Sequence, residues 1–345
     1  MRHAIYKSVF IVAIIFFLVS CDSQVGNFNL GYYVGVVLFN KTKGISFIHQ
    51  YNEDGKESNK IKFSVEGMSY LDNFIPSDKK SFYVKSSNIL SKKGKNYLIE
   101  VDKYTNRYYK INLGLDDIYK IVVEEDYIYI THSINKLSIY DKNKNKIINT
   151  ISLNDYIVNK FHVDENNIYV FSREAKEKSY LNIINKENLE IIKTIDVTKF
   201  GLYQNDVFYY NDKIYFTNYN VSSETNIGKI GIYNTKSDKF TYVNLNSKNL
   251  DKILVDDENI YVTVKGNDGD VLKDTVFIID RDTLEVTKKK LNYKIKVFDI
   301  FDGKMFILSD DYLYIYNSGD LSEFNKITLE TDDESVVSGL IIYDY

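Results

Sequence analysis

Beyond residue 20 the chain carries three histidines, His49, His132 and His162, set far apart. A zinc site needs three or four such ligands converging, and these intervals do not supply it. No Gly-x-Ser-x-Gly turn stands near any of them to present a nucleophilic serine, so no catalytic residue emerges. A second candidate is the group Asn267, Asp268, Asp270 and Asp274. Closely spaced oxygen donors are what a hard cation takes, which makes calcium the ion such a loop would hold. The spacing departs from the EF-hand, however, and an ordinary acidic surface loop has the same composition. No other cofactor is expected. A third set is positional: Lys120, Lys160, Asp206 and Lys252 each stand nine residues before a tyrosine, namely Tyr129, Tyr169, Tyr215 and Tyr261. Equivalent tyrosines would place these four charges at one level of a channel mouth. A mixed ring of that kind suits an anionic polymer or a carboxylate, or is simply solvated.

The single cysteine, Cys21, reads differently. Arg2 and Lys7 precede an unbroken apolar run from Val9 to Val19, and Ser20 and Cys21 follow it. Eleven apolar residues are too few to span a bilayer, which takes about 20, but they suit the core of an export signal. Leu18-Val19-Ser20-Cys21 resembles the bacterial lipobox, whose cysteine is diacylated and becomes the mature N-terminus. The expected organisation is a signal peptide over residues 1–20, a lipidated cysteine with a short tether over 21–30, and one domain over 31–345. Two acyl chains would anchor the chain stably on the extracytoplasmic side of the cell membrane. Without Arg2 and Lys7 there remain 42 basic against 48 acidic residues, so nucleic acid is not an expected partner.

The elements that would position these groups are short alternating strands separated by Asn, Asp, Lys and Gly, with almost no helical periodicity. An apolar or aromatic residue followed by Asn or Asp recurs at Tyr51-Asn52, Val101-Asp102, Tyr140-Asp141, Ile184-Asn185, Tyr233-Asn234, Ile279-Asp280 and Tyr316-Asn317. A recurrence every 40 to 50 residues or so suits a four-stranded propeller blade, and seven copies imply seven blades. The Asn or Asp would bond the backbone two residues on and tolerate a left-handed conformation in the hairpin turn. Outer strands should end near Val65, Leu113, Leu153, Val197, Leu245, Leu291 and Leu329. Tyr83, Tyr129, Tyr169, Tyr215, Tyr261 and Phe306 mark the preceding strand, and such regularity predicts packing between blades, not a ligand-stacking ring. The first unit has no innermost strand of its own, whereas Val336 to Tyr343 are left over at the end. Their pairing would close the ring. Longer loops are expected on one face at 86–95, 172–179, 219–228 and 265–274.

Ile260-Tyr261-Val262-Thr263 followed by Val276-Phe277-Ile278-Ile279-Asp280, and likewise Ile128-Tyr129-Ile130-Thr131 and Ile214-Tyr215-Phe216-Thr217-Asn218, resemble the YVTN family of β-propeller repeats. The resemblance extends over roughly residues 31–345 and implies an all-β, seven-bladed propeller of four-stranded antiparallel blades. Relatives in that family range over surface-layer proteins, lactonase-like enzymes and electron-transfer propellers, so the fold selects no single activity. Lys and Asn replace the glycine-rich turn of the family motif, and there is no tryptophan. These departures argue against the quinone-cofactor branch and against close similarity to the eight-bladed outer-membrane assembly lipoprotein.

The expected function is a non-enzymatic binding or scaffolding lipoprotein that presents its propeller to another envelope protein or polymer. The alternative is an extracytoplasmic hydrolase of lactonase-like propeller type with a metal ion in its channel. A structural protein of the cell surface is a third reading.

Overall fold

The computed structural model describes residues 33–40, 42–63, 75–85, 97–153, 156–174, 178–219, 228–247, 249–264, 274–331 and 334–343. Within the compact unit Tyr32–Tyr345 the strands form seven antiparallel sheets, and among the described residues the one helical element is a 3-10 turn at Thr198–Phe200. Six sheets have four strands each; the other, blade 2, has Ser81–Lys85, Tyr97–Asp102 and Tyr108–Asn112, with a bridge from Ser77 to Phe82 where its innermost strand is expected. Inner strands of blades 3 to 7 are Lys120–Val123, Tyr156–Val163, Tyr203–Tyr210, Leu250–Val255 and Val297–Phe301. Blade 1 takes its inner strand from the end of the chain. Ser335–Ile342 pairs antiparallel with Val34–Asn40, with Val34 opposite Ile342, as the leftover segment predicts.

Each sheet is too small to cover its own apolar sides, so the core lies in the seams between blades. Tyr83, Tyr129, Tyr169, Tyr215, Tyr261 and Phe306 are all at most 3% exposed, and each joins a cluster with the next blade. Tyr129, for instance, packs with Phe161 and Ile168, and Tyr261 with Phe298 and Met305. Phe306 packs with Val34 and Val36 of blade 1, across the seam where the ring closes. The tyrosines also have a polar end. Tyr169 donates to Asp164 at 2.9 Å and Tyr261 to Asp256 at 3.0 Å, while the other oxygen of each carboxylate accepts two backbone N–H groups of the hairpin turn. One Asp thus shapes the turn and satisfies a buried phenol. Asp78 does the same for Tyr83 and receives Lys142 of the next blade at 2.7 Å. Burial alone would raise the Asp78 pKa, but these hydrogen bonds hold it below the ordinary carboxylate value.

Blade 1 breaks the aromatic series. Val34 pairs with Tyr51 as Ile128 pairs with Tyr140, so Gly35 occupies the place of Tyr129. Tyr343 fills the gap from the other end of the chain: a Cβ on Gly35 would stand 3.2 Å from the Tyr343 ring. That ring meets Phe82 of blade 2 edge-on at 6.4 Å, and its hydroxyl accepts from Gln50 at 2.7 Å. Closure therefore restores the missing aromatic as well as the missing strand.

Two expectations need correction. The left-handed residue of the third hairpin is not the Asn or Asp of the dipeptide but the residue four further on. Asn106, Asn145, Leu189, Asp238, Leu284 and Leu321 have φ between 50° and 63°, and the Asn or Asp oxygen caps the intervening N–H groups, as Asn234 does for Lys236 and Ser237. Residues 172–179 are mainly a hairpin, with Ser172 paired to Tyr180 and Glu174 to Lys178. The outer strand of blade 1, expected to end near Val65, runs to Phe63, which is fully buried, and Val65 itself lies outside the described residues. In the other six blades the expected Leu or Val follows the outer strand and is buried. Of the other three expected loops, residues 86–96, 220–227 and 265–273 are outside the described residues.

Candidate functional site

The inner strands wall the channel, and their side chains alternate between seam and lumen. Counting back from the aromatic of the second strand, the residues eight before it are Ile121, Phe161, Val207, Ile253 and Phe298, all buried in seams. Nine before it stand Lys120, Lys160, Asp206, Lys252 and Val297, and seven before it Val122, His162, Phe208, Leu254 and Asp299. The equivalence of the first group is visible in the backbone. Lys120, Asp206 and Lys252 each donate their N–H to a threonine hydroxyl on the second strand, Thr131, Thr217 and Thr263, at 3.1–3.2 Å. At Lys160 the facing residue is Phe171 in place of threonine. Pairing is irregular just ahead of Lys160, Asp206 and Lys252, after Val158, Gln204 and Leu250, whereas Lys120 pairs regularly with Thr131.

A cavity of about 240 Å³ occupies this part of the ring. Lys120, Asp206 and Lys252 line it together, so three of the four charges expected at one level share a single space, while Lys160 does not contribute to that lining. The Asp206 Oδ2 accepts the Ile253 N–H at 3.2 Å, which ties blade 5 to blade 6. Deeper in, the wall is mainly apolar: Val122, Phe208 and Leu254 border the space with His162, Tyr209 and Pro76, and the seam residues Ile121, Phe161, Val207, Ile253 and Phe298 also reach it. A second cavity of about 390 Å³ adjoins it between blades 5, 6 and 7, lined by Asp256, Asp257, Asp299 and Asp302 along with Phe208, Tyr210 and Phe301. The channel is thus lysine-bearing at one level, apolar at the next, and acidic beyond.

Two titratable groups stand at the apolar level. His162 keeps part of its ring open to the lumen, lies flat against Tyr209 with ring centroids 4.6 Å apart, and is enclosed by protein on the other sides. Burial pushes its pKa down to about 4, and the nearby Lys120 charge acts in the same direction. Asp299 is pushed the other way, up to about 7, by burial that the hydrogen bond from the Ile300 N–H only partly offsets. Near neutral pH the histidine is uncharged and the carboxyl is poised between forms. Asp299 escaped the sequence reading because its strand aligns on Phe306 where the others align on a tyrosine; the seven-residue offset it shares with His162 was the available signal.

The remaining candidates fall elsewhere. Among the described residues no three His, Cys, Asp or Glu side chains gather as a metal-binding group. Asp268 and Asp270 lie outside those residues, as does Asn267; the Asp274 carboxylate accepts from the Thr275 hydroxyl at 3.2 Å and faces Lys290 at 3.7 Å. His49 bonds Glu57 across two strands at 2.8 Å, with burial lowering its pKa, so this is a hydrogen bond from a neutral ring more than an ion pair. His132 meets the Ser138 hydroxyl at 2.8 Å, and Ser138 continues to Thr150 at 2.8 Å. This pair does not resemble a nucleophile and base, because Ser138 is fully buried and blade 4 repeats the ladder as Ser172, Asn182 and Thr194. Cys21 lies outside the described residues.

The architecture has counterparts among solved structures. BamB from Moraxella catarrhalis is similar over 89% of this chain and 90% of its own, with a TM-score of 0.53 at 8% identity. The computationally designed Ika8 protein gives 0.56 at 8% identity over 91% and 92% of the two chains. The Pan2 WD40 domain from Neurospora crassa gives 0.56 at 12% identity over 88% and 94%. The likeness is one of fold. No protein-family profile matches the chain, and no curated protein does.

Proposed function

We propose that the chain is exported, held at the outer side of the cell membrane by a diacylated Cys21, and works there as a non-enzymatic binding or scaffolding β-propeller of the YVTN type. The observation that carries the binding role is the closed ring of seven blades, in which the recurrent side chains are engaged in the seams. What varies from blade to blade is left on the loops and the channel wall, where a rigid scaffold concentrates recognition. The solved propellers it resembles show that such rings recur in very different settings. Support for the anchor is in the sequence alone: the apolar run Val9–Val19, the lipobox-like Leu18-Val19-Ser20-Cys21, and a tether of only eight residues, Asp22 to Asn29, before the blades. Fully extended, that tether reaches about 28 Å, which keeps the ring close to the membrane. An envelope protein or polymer is the partner such a placement favours.

Fractionation of cells expressing Cys21→Ala tests the anchor. Release of the variant from the membrane fraction is expected, and its continued retention would contradict the proposal. In-cell crosslinking tests the scaffolding role, with one discrete heterologous product expected; a ladder of self-crosslinks would point instead to a surface-layer protein.

A further inference from the structure

We propose that the cavity between blades 5, 6 and 7 binds a small organic ammonium ion, with the Asp299 carboxylate as its counter-ion and Phe208, Tyr210 and Phe301 as the aromatic surface around it. The inference rests on the geometry of that cavity and stands whether or not Cys21 is lipidated. Asp299 is the group that asks for a ligand. It faces the cavity and is otherwise enclosed by protein. Its Oδ1 accepts only the N–H of its own neighbour Ile300, at 2.8 Å, and its Oδ2 has no hydrogen-bond donor among the described residues. A carboxylate withdrawn from water is costly unless a cation answers it, and no lysine, arginine or histidine lines this space. Lys120 and Lys252 belong to the neighbouring cavity. The other carboxylates form a path inward. Asp257 and Asp302 stand exposed in the hairpin turns of blades 6 and 7, and Asp299 is three residues back from Asp302, about 10 Å along the strand. Asp256 is engaged by Tyr261 and the turn N–H groups, and Asp257 by the Tyr210 hydroxyl at 2.5 Å. These carboxylates do not gather as a metal-binding group and stand among aromatic rings, so the cation that fits is organic. A positive charge is drawn to an aromatic face, and Tyr210 already receives one: Arg281, outside the cavity lining, holds its guanidinium 4.8 Å from that ring's centroid while its Nη1 donates to the Asp256 and Asp257 carbonyls at 2.7 and 2.6 Å. The volume of about 390 Å³ lies within the ~300–1,000 Å³ usual for ligand sites. It accommodates an ammonium group with a short apolar body against Leu254 and Ile300.

Calorimetric titration of the full-length protein with choline, n-butylammonium and neohexanol, the uncharged carbon isostere of choline, tests this. The titration is made at about pH 8, where Asp299, with its pKa raised to about 7, is ionised. One or both ammonium ions are expected to bind at or below about 1 mM, with neohexanol at least about tenfold weaker. Comparison of the two ions separates a quaternary from a primary ammonium ligand. Asp299→Asn keeps the shape of the side chain, relieves an unpaired buried charge and so does not threaten the fold; it should weaken the better ion about tenfold or more. Phe301→Leu, which keeps an apolar side chain but removes the ring, should weaken it about threefold to tenfold. Neohexanol binding as tightly as the ammonium ions would overturn the proposal. So would failure of both ions to bind at about 1 mM, or wild-type affinity in Asp299→Asn.

Discussion

The seams between blades and the wall of the channel are built from adjacent residues of the same strands, yet they follow opposite rules. At the seams one solution recurs around the ring: an aromatic on the second strand, a carboxylate in the turn five residues earlier at Asp78, Glu124, Asp164 and Asp256, and an apolar side chain from the next blade. On the channel wall a single level holds Val122, His162, Phe208, Leu254 and Asp299, five different side chains at five equivalent places. Repetition is what a shared packing problem produces, since every seam must be covered in the same way. Departure from repetition marks positions that also border the channel, although Leu254 is buried in the seam with Tyr261 and Phe298 and Val122 and Phe208 pack against their neighbours.

Four perturbations would break or sharpen this contrast. The largest effect is expected from removing residues 336–345, which takes away the inner strand of blade 1 and the Tyr343 ring that lies over Gly35. The ring then opens at two exposed sheet edges, and loss of a single cooperative melting transition is the expected outcome in calorimetry. Unchanged melting would refute closure by the C-terminal strand. Next is Tyr261→Ala, which empties a fully buried site and removes the phenol hydroxyl that stands 3.0 Å from both the Asp256 carboxylate and the Ser318 carbonyl, its one proton shared between them. A loss of about 3–5 kcal/mol in denaturant unfolding is expected. The same substitution made in any other seam should cost a similar amount.

A smaller effect with a distinctive pH signature is expected from Asp299→Asn. The folded-state pKa of about 7 lies above the ordinary value of 3.8, so the folded protein holds this proton more tightly than the unfolded chain does. The group costs nothing below about pH 4, its penalty grows as pH rises toward 7, and it is complete above that. The variant should therefore melt like the parent at pH 4 and several degrees higher at pH 8, by about 3–8 °C. His162 has the reverse sign: its neutral ring contributes fully above about pH 6.5, and that contribution is lost as pH falls toward its folded pKa of about 4. Melting curves of Asp299→Asn and the parent between pH 4 and 8 isolate the Asp299 contribution from that of His162, which both proteins keep, and a pH-independent gap would contradict the assigned burial. The smallest effect is expected from Leu284→Asn, which relieves an exposed leucine held at φ 60°. A gain of up to about 1 kcal/mol should follow, since asparagine tolerates that conformation better.

The same contrast explains what was legible in the sequence. Seven dipeptides and six aromatics announced the blades because each repeats at a readable spacing, and the unpaired last strand announced how the ring closes. The left-handed turn residue was hidden because Leu189, Leu284 and Leu321 occupy a conformation in which glycine or asparagine is the usual signal. Tyr343 was hidden by distance, since it answers a gap at Gly35 some 300 residues away. The charged level at Lys120, Asp206 and Lys252 could be read from its fixed offset to a tyrosine. Its apolar neighbours could not, because no pattern distinguishes a valine facing a lumen from one facing a seam.

The most direct test sets one residue of each kind side by side: melting temperatures of Tyr261→Ala and Lys252→Ala measured at about pH 7.5. The seam variant should fall by about 6 °C or more while the channel variant stays within about 1 °C of the parent. Comparable losses in the two would contradict the division between the packing seams and the charged level of the channel wall.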